Sequence, residues 1–251
     1  MKRIQLIICL FLLFACREER EKPITAEEII DQSIENAGGD LYDNSFISFH
    51  FRDKDYVLEK QDGREVMKRI LVTDTAVIVD AIRRGDVIRE INDSVVALTD
   101  SVKNIYSEAI NSVHYFAYLP HGLNDKAVNK ELIGDIKIGD KEYYKIKVTF
   151  DQEGGGKDYE DTFVYWINKE TFEPDYLAYQ YQVNGGGMRF REAYNPRRVG
   201  GIRFVDYNNY RPDSTTSPEL RKLDSLYLND QLELISKIEI SEIIVNPDNY
   251  N

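Results

Sequence analysis

Carboxylates are the side chains of this sequence best placed for chemistry. Asp158, Glu160, Asp161, Glu192 and Asp206 lie on or beside aromatic, strand-like runs, and two of them in one cleft could divide the acid and base roles of glycoside hydrolysis. The same runs carry Arg189, Arg191 and Arg203, so the competing expectation is ion pairing that ties the carboxylates up. None of His50, His114 and His121 stands in a HxxxH or HExxH spacing, and neither a metal site nor a cofactor is expected. The sequence contains no Gly-x-Ser-x-Gly, and Ser101, Ser107 and Ser112 fall in a stretch of helical period, which leaves no elbow for a serine nucleophile. Lys145 and Lys147 alternate with Ile146 and Val148, which places both on a polar face, the wrong side for a buried Schiff-base lysine. The glycine runs 154–156, 185–187 and 200–201 have no Lys-Ser or Lys-Thr and no strand-to-helix context, so they read as hairpin turns rather than phosphate loops.

The second candidate is aromatic. Trp166, Tyr179, Tyr181, Phe190 and Tyr207 lie on strand-like runs, and Tyr106, Ile110 and Phe116 on a helical one. They fit two readings: an ordinary core under a helix, or an apolar slot for an acyl chain between helix and sheet. The slot reading places the chain between helix 102–117 and Trp166, Tyr179 and Tyr181, with the helix moving to admit it. A symmetric turn at Asn184 sets Val183 opposite Met188, Tyr181 opposite Phe190 and Leu177 opposite Tyr194. That register gives one dry face and leaves Gln180, Gln182, Arg189 and Arg191 on a solvent face.

The N-terminus addresses the chain to a membrane. Lys2 and Arg3 precede an apolar run over 4–14, too short to span a bilayer, and Leu13-Phe-Ala-Cys16 closes it. This resembles the lipobox of bacterial lipoproteins, which implies a signal peptide over 1–15 and acylation of Cys16. Cys9 is the only other cysteine and would leave with the signal, so stability must come from packing rather than disulfides. The run Arg17-Glu-Glu-Arg-Glu-Lys22, in a tether over 16–23, resembles the signal that sends many Bacteroidota lipoproteins to the cell surface. The expected partner is therefore a membrane, reached through a lipid anchor. A net charge of −12 disfavours nucleic acid.

Turn-bounded strand patterns position these residues. Thr25-Ala-Glu-Glu28 is a capping box that opens an amphipathic helix ending at Gly38-Gly39. Strands are expected near 47–51, 56–58, 66–72, 76–82 and 87–91, then a helix over 102–117 halted by Pro120, a short helix after 125, and a strand near 132–138. Five runs follow at 143–150, 159–167, 176–183, 188–194 and 202–207, then a helical or irregular piece from Ser217-Pro218, and a closing strand over 232–245.

Several of these runs are familiar together. Tyr118-Leu-Pro-His-Gly-Leu-Asn-Asp125, Glu160-Asp-Thr-Phe-Val-Tyr-Trp166, Asn184-Gly-Gly-Gly-Met-Arg-Phe-Arg-Glu-Ala-Tyr-Asn195 and Gly201-Ile-Arg-Phe-Val-Asp-Tyr207 resemble a family of uncharacterised Bacteroidota lipoproteins. Its topology is similar to that of LolA/LppX-type lipoprotein carriers, and the resemblance brings no catalytic residues. The fold expected is mainly antiparallel β, α+β by content: one large curved, unclosed sheet, a LolA-like half-barrel, in a single domain over 24–251 with two or three helices on its concave side. The function expected is an envelope lipoprotein that binds a hydrophobic or amphipathic ligand. The alternatives are a glycan hydrolase using the carboxylates near Asp158 to Asp161, and an interaction module with a full core.

Overall fold

The structure is a computed structural model. It describes residues 22–61, 63–156, 159–182, 185–213, 215 and 218–247. Cys16, Asp158, Val183 and the signal and tether up to residue 21 lie outside the described residues.

Helix α1 (Ala26–Ala37) begins on the expected capping box: Thr25 Oγ1 accepts from the Glu28 amide at 3.2 Å, and Glu28 Oε2 accepts from the Thr25 amide at 2.8 Å. It ends where Gly38 turns to φ 148°, a conformation open to glycine, with Ile202 so close that an added Cβ would meet it at 3.1 Å. A meander follows: β1 (Ser45–Phe51), β2 (Lys54–Gln61), β3 (Arg64–Val72), β4 (Val77–Arg83), β5 (Asp86–Ile91) and β6 (Ser94–Val96). Helix α2 (Asp100–Tyr118) leads to a second meander of β7 (Val128–Ile138), β8 (Lys141–Phe150), β9 (Thr162–Asn168), β10 (Pro174–Tyr181), β11 (Gly187–Val199) and β12 (Ile202–Pro212). A 3₁₀ turn (Leu220–Lys222), helix α3 (Leu223–Leu228), β13 (Leu232–Ile238) and β14 (Ser241–Pro247) complete the order. The short helix expected after residue 125 is absent. Strand β7 begins there instead, and its bulge between Leu132 and Gly134 breaks the period-two signal that would have revealed it.

The strands form two open antiparallel ladders of seven, in the orders β14-β1-β2-β3-β4-β5-β6 and β13-β12-β11-β10-β9-β8-β7. The antiparallel, unclosed architecture is as expected, but the single ladder divides in two. The stretch 232–247 joins them, pairing with β12 as β13 and then with β1 as β14. The crossing is pinned at Ile240, whose amide donates to Asp206 Oδ1 at 3.1 Å and whose carbonyl accepts from Arg197 Nη2 at 2.6 Å. Helices α1 and α2 share the inner face. Ile29, Ile30 and Ile34 pack with Ile146, Val148 and Tyr165 of the second ladder. Tyr118 packs with Phe49 and Tyr56 of the first. Helix α3 covers the opposite face of the second ladder, where Leu220 and Leu223 meet Trp166, Phe190 and Tyr143.

That second cover corrects the expected register. Leu177 pairs with Arg191, Ala178 with Phe190 and Tyr181 with Gly187, a slip of three residues from the symmetric turn, so the loop spans 182–186. An odd slip exchanges faces. Phe190 turns outward under α3, and Arg191 turns inward and is buried. Gln180, Tyr181, Met188 and Arg189 are half-buried, and Gln182 is exposed. The expectation of one wet face fails because α3 makes both faces apolar.

Phe190 is fully buried between Trp166 and Tyr227. Phe190→Ala is expected to cost about 3–5 kcal/mol by denaturant unfolding, and a loss under about 1 kcal/mol would contradict this packing. His114 of α2 is buried and neutral, donating from Nε2 to the Lys68 carbonyl at 3.2 Å, and burial pushes it down to about 4 from its ordinary 6.5. The unfolded chain takes up this proton below pH 6.5 while the folded one resists it until about 4. Stability is therefore whole above pH 6.5 and falls as pH drops toward 4, by roughly 3 kcal/mol from this residue. The His114→Gln variant should show a shallower loss of stability across that window; an unchanged slope would rule the residue out as its source.

Candidate functional site

The candidate site is an aromatic seam between the C-terminal half of α2 and the inner face of β9 to β12. Strand alternation sends Phe163 and Tyr165 of β9, Tyr179 and Tyr181 of β10, and Tyr207 of β12 to this face. Helix α2 lowers Tyr115 and Phe116 onto them. Phe116 lies 5.4 Å from Tyr179, Tyr179 5.4 Å from Phe163, and Phe163 5.8 Å from Phe150, so a chain of rings runs toward the tip of the β8–β9 hairpin. Phe116, Phe150, Tyr179 and Tyr181 are half-buried. The rings touch, so the seam is closed in this structure.

Arg191 sits within it at 7% exposure. Its guanidinium lies 3.7 Å from the Phe116 ring centroid, 5.2 Å from Tyr179 and 5.8 Å from Tyr207. Nη2 donates to Tyr179 Oη at 3.0 Å, while Nε and Nη1 have no partner. Burial pulls its pKa below the ordinary arginine value, opposed by Tyr179 and Tyr207. Beside it the hydroxyls of Tyr115 and Tyr165 share a 2.6 Å hydrogen bond, and burial holds both phenols well above their ordinary range. The chemistry on offer is binding: apolar ring surface around one buried cation and neutral phenols.

Of the residues expected to line a slot, Phe116, Tyr179 and Tyr181 come together here. Ile110 is on the same helix and fully buried. Tyr106 stands against the first ladder, 4.0 Å from the Arg89 guanidinium and 5.2 Å from that of Arg69, which together hold the buried Asp80. Trp166 and Phe190 are on the other face, a correction to the expected slot, because Trp166 alternates with Phe163 and Tyr165 along one strand. Trp166 Nε1 donates to Asp224 at 3.0 Å, and Lys145 Nζ reaches the same carboxylate at 2.6 Å. Lys145 is thus enclosed under α3 rather than set on a polar surface, while Lys147 is the more exposed and lies 3.8 Å from Glu131. Tyr115, Phe163, Tyr165 and Arg191 escaped the sequence reading. The parity of 163–166 held the signal for two of them, but it does not say which face meets α2.

Glu192 and Asp206 are engaged in structural hydrogen bonds. Glu192 accepts from Tyr227 at 2.7 Å, Asn208 at 3.0 Å and Tyr210 at 3.2 Å. Asp206 accepts from Asn195, Arg197 and the Ile240 amide. Glu160 is exposed and Asp161 half-buried. Among the described residues no group of three His, Cys, Asp or Glu could hold a metal ion, and no helix is long and apolar enough to cross a membrane. A surface hollow of about 500 Å³ beside the end of α1 is lined by Glu35, Asp40 and Asn44 and lies away from the seam.

Among solved structures, the chain is similar to a LolA superfamily protein from Nitrosomonas europaea, at 14% identity and a TM-score of 0.43, over 89% of this chain and 94% of that one. A DUF1329 family protein from Desulfovibrio piger is similar at 13% identity and a TM-score of 0.48, over 88% and 93%. The lipoprotein LppX of Mycobacterium tuberculosis is similar at 11% identity and a TM-score of 0.29, over 64% and 89%. At these values the similarity assigns no ligand and no activity. A search of curated proteins finds no match. The chain belongs to DUF6503, a family of unknown function whose family model matches residues 1–241.

Proposed function

We propose that the chain is a lipid-anchored cell-envelope protein that binds a hydrophobic or amphipathic ligand, an acyl chain or lipid, between α2 and the inner face of β9 to β11. The observation that carries the reading is the seam of half-buried rings under the C-terminal half of α2. Ile105, one turn and a half before the buried Ile110, is 58% exposed. That end of α2 is tied to the first ladder by Lys103, which donates to Asp86 at 2.8 Å, and by Tyr106 over Arg89. A buried acyl chain contributes roughly 0.8 kcal/mol per methylene, so a long tail offsets the separation of several ring contacts.

The anchor rests on Lys2, Arg3, the apolar run over 4–14 and Cys16. Residues 1–15 would then be removed, 16–23 would tether the protein, and the rest would form one domain at the outer membrane. A closed seam also suits an interaction module with a full core, and the ligand test separates the two. A hydrolase reading that used Glu192 or Asp206 would have to free oxygens that already accept from structural donors.

Two measurements check this reading. Labelled palmitate should enter the wild-type chain and not Cys16→Ser; equal labelling would remove the anchor. A photoreactive C16 chain, as acid or alcohol, offered to the full chain in a mild uncharged detergent should cross-link to α2 and to peptides covering 163–181. Cross-links only elsewhere, or none, would leave the packed module standing.

A further inference from the structure

The other arginines that this fold buries lie against carboxylates. Arg69 and Arg89 share Asp80 at 2.6 Å each. Arg203, 3% exposed on its side chain, lies 3.2 Å from Glu173 and 3.6 Å from Asp175. Arg191 is as enclosed as these, yet among the described residues no carboxylate pairs with it, and two of its nitrogens have no hydrogen-bond partner. An uncompensated buried charge and unmet buried donors are both costly. Guanidinium keeps its proton under nearly all conditions, so neutralisation by proton loss is not open to it.

We propose that Arg191 recognises the anionic headgroup, a carboxylate or phosphate, of the amphipathic ligand that the seam takes. This rests on the ligand-binding reading above and adds the charge and orientation of the ligand. The guanidinium carbon lies 3.7 Å over the Phe116 ring, and the free Nε and Nη1 donate in the plane of the group, the direction from which an oxygen would be received. Tyr179, which accepts from Nη2, still has its own O–H to donate to an oxygen placed beside the guanidinium. The tail then runs along Phe163 and Phe150, away from the charge, toward the hairpin tip.

The test uses the full chain in a mild uncharged detergent at alkaline pH, a photoreactive C16 carboxylic acid, the matching C16 alcohol, and inorganic phosphate as an anion without a chain. The acid should bind about tenfold or more tightly than the alcohol, with both labelling peptides over 163–181. Arg191→Gln should abolish that preference, and Arg191→Lys should retain part of it. If Arg191→Gln does not fold, the wild-type ratio of acid to alcohol decides alone. Equal binding of acid and alcohol in the wild type would overturn the assignment of Arg191 while leaving the hydrophobic seam intact. Inorganic phosphate that displaces the acid as effectively as unlabelled acid does would also overturn it, by making this a free-anion site. Labelling of the seam by neither compound would overturn the ligand-binding reading itself, and the headgroup with it.

Discussion

Asp206 holds the two halves of this fold together. One carboxylate receives Asn195, Arg197 and the amide of Ile240, at the point where the C-terminal stretch leaves one ladder and enters the other. A strand that changes partners exposes unpaired backbone groups at the change, and buried amides and carbonyls must find substitutes. Asp206 supplies the acceptor and Arg197 the donor. With the crossing fixed, fourteen strands in two ladders need not close into a barrel, and the space they flank is filled by α1 and α2.

Two-sided burial of the second ladder follows from the same economy of cover. Strand β9 is buried along Phe163 to Asn168, because α1 and α2 take one face and α3 the other. Its alternation therefore separates two apolar sets rather than an apolar and a polar one. Helix α3 is short and is fastened by polar contacts, with Asp224 gathering Lys145 and Trp166, and by the rings of Phe190 and Tyr227. On the inner face the corresponding polar group is Arg191, and among the described residues no carboxylate plays the part of Asp224. The contrast is between a buried cation that meets a carboxylate on one face and one that meets only rings and a phenol on the other.

Helix α2 has a divided footing. Its C-terminal half carries His114 and Tyr118 into the aromatic core of the first ladder, near Phe49 and Tyr56. Its N-terminal half rests Tyr106 on the Arg69–Asp80–Arg89 cluster and leaves Ile105 in solvent. Cation–π contact over this cluster is less shape-dependent than jigsaw packing of apolar rings. The helix is thus held by apolar packing at one end and by polar and cation–π contacts at the other, where Lys103 also donates to Asp86 at 2.8 Å.

The sequence alone determined that strands pair with their neighbours, that Thr25 and Glu28 start a helix, and that 102–117 is helical, since each rests on short-range period, capping or turn chemistry. It also settled membership of the antiparallel, unclosed class. What it could not determine was which face each strand turns to which helix. The turn over 182–186 looked symmetric, and a slip of three residues costs nothing locally, yet it exchanges Phe190 with Arg191 between the faces. Only α3, which lies more than 30 residues along the chain, decides the matter, by giving the outer face an apolar cover that Phe190 can enter. The division of the last strand between two ladders was equally hidden, because Glu239 and Ile240 carry no break signal and the bend depends on Asp206. The seam and its unpaired arginine are products of tertiary packing for the same reason: local propensity fixes alternation, and the neighbours across the fold fix its phase.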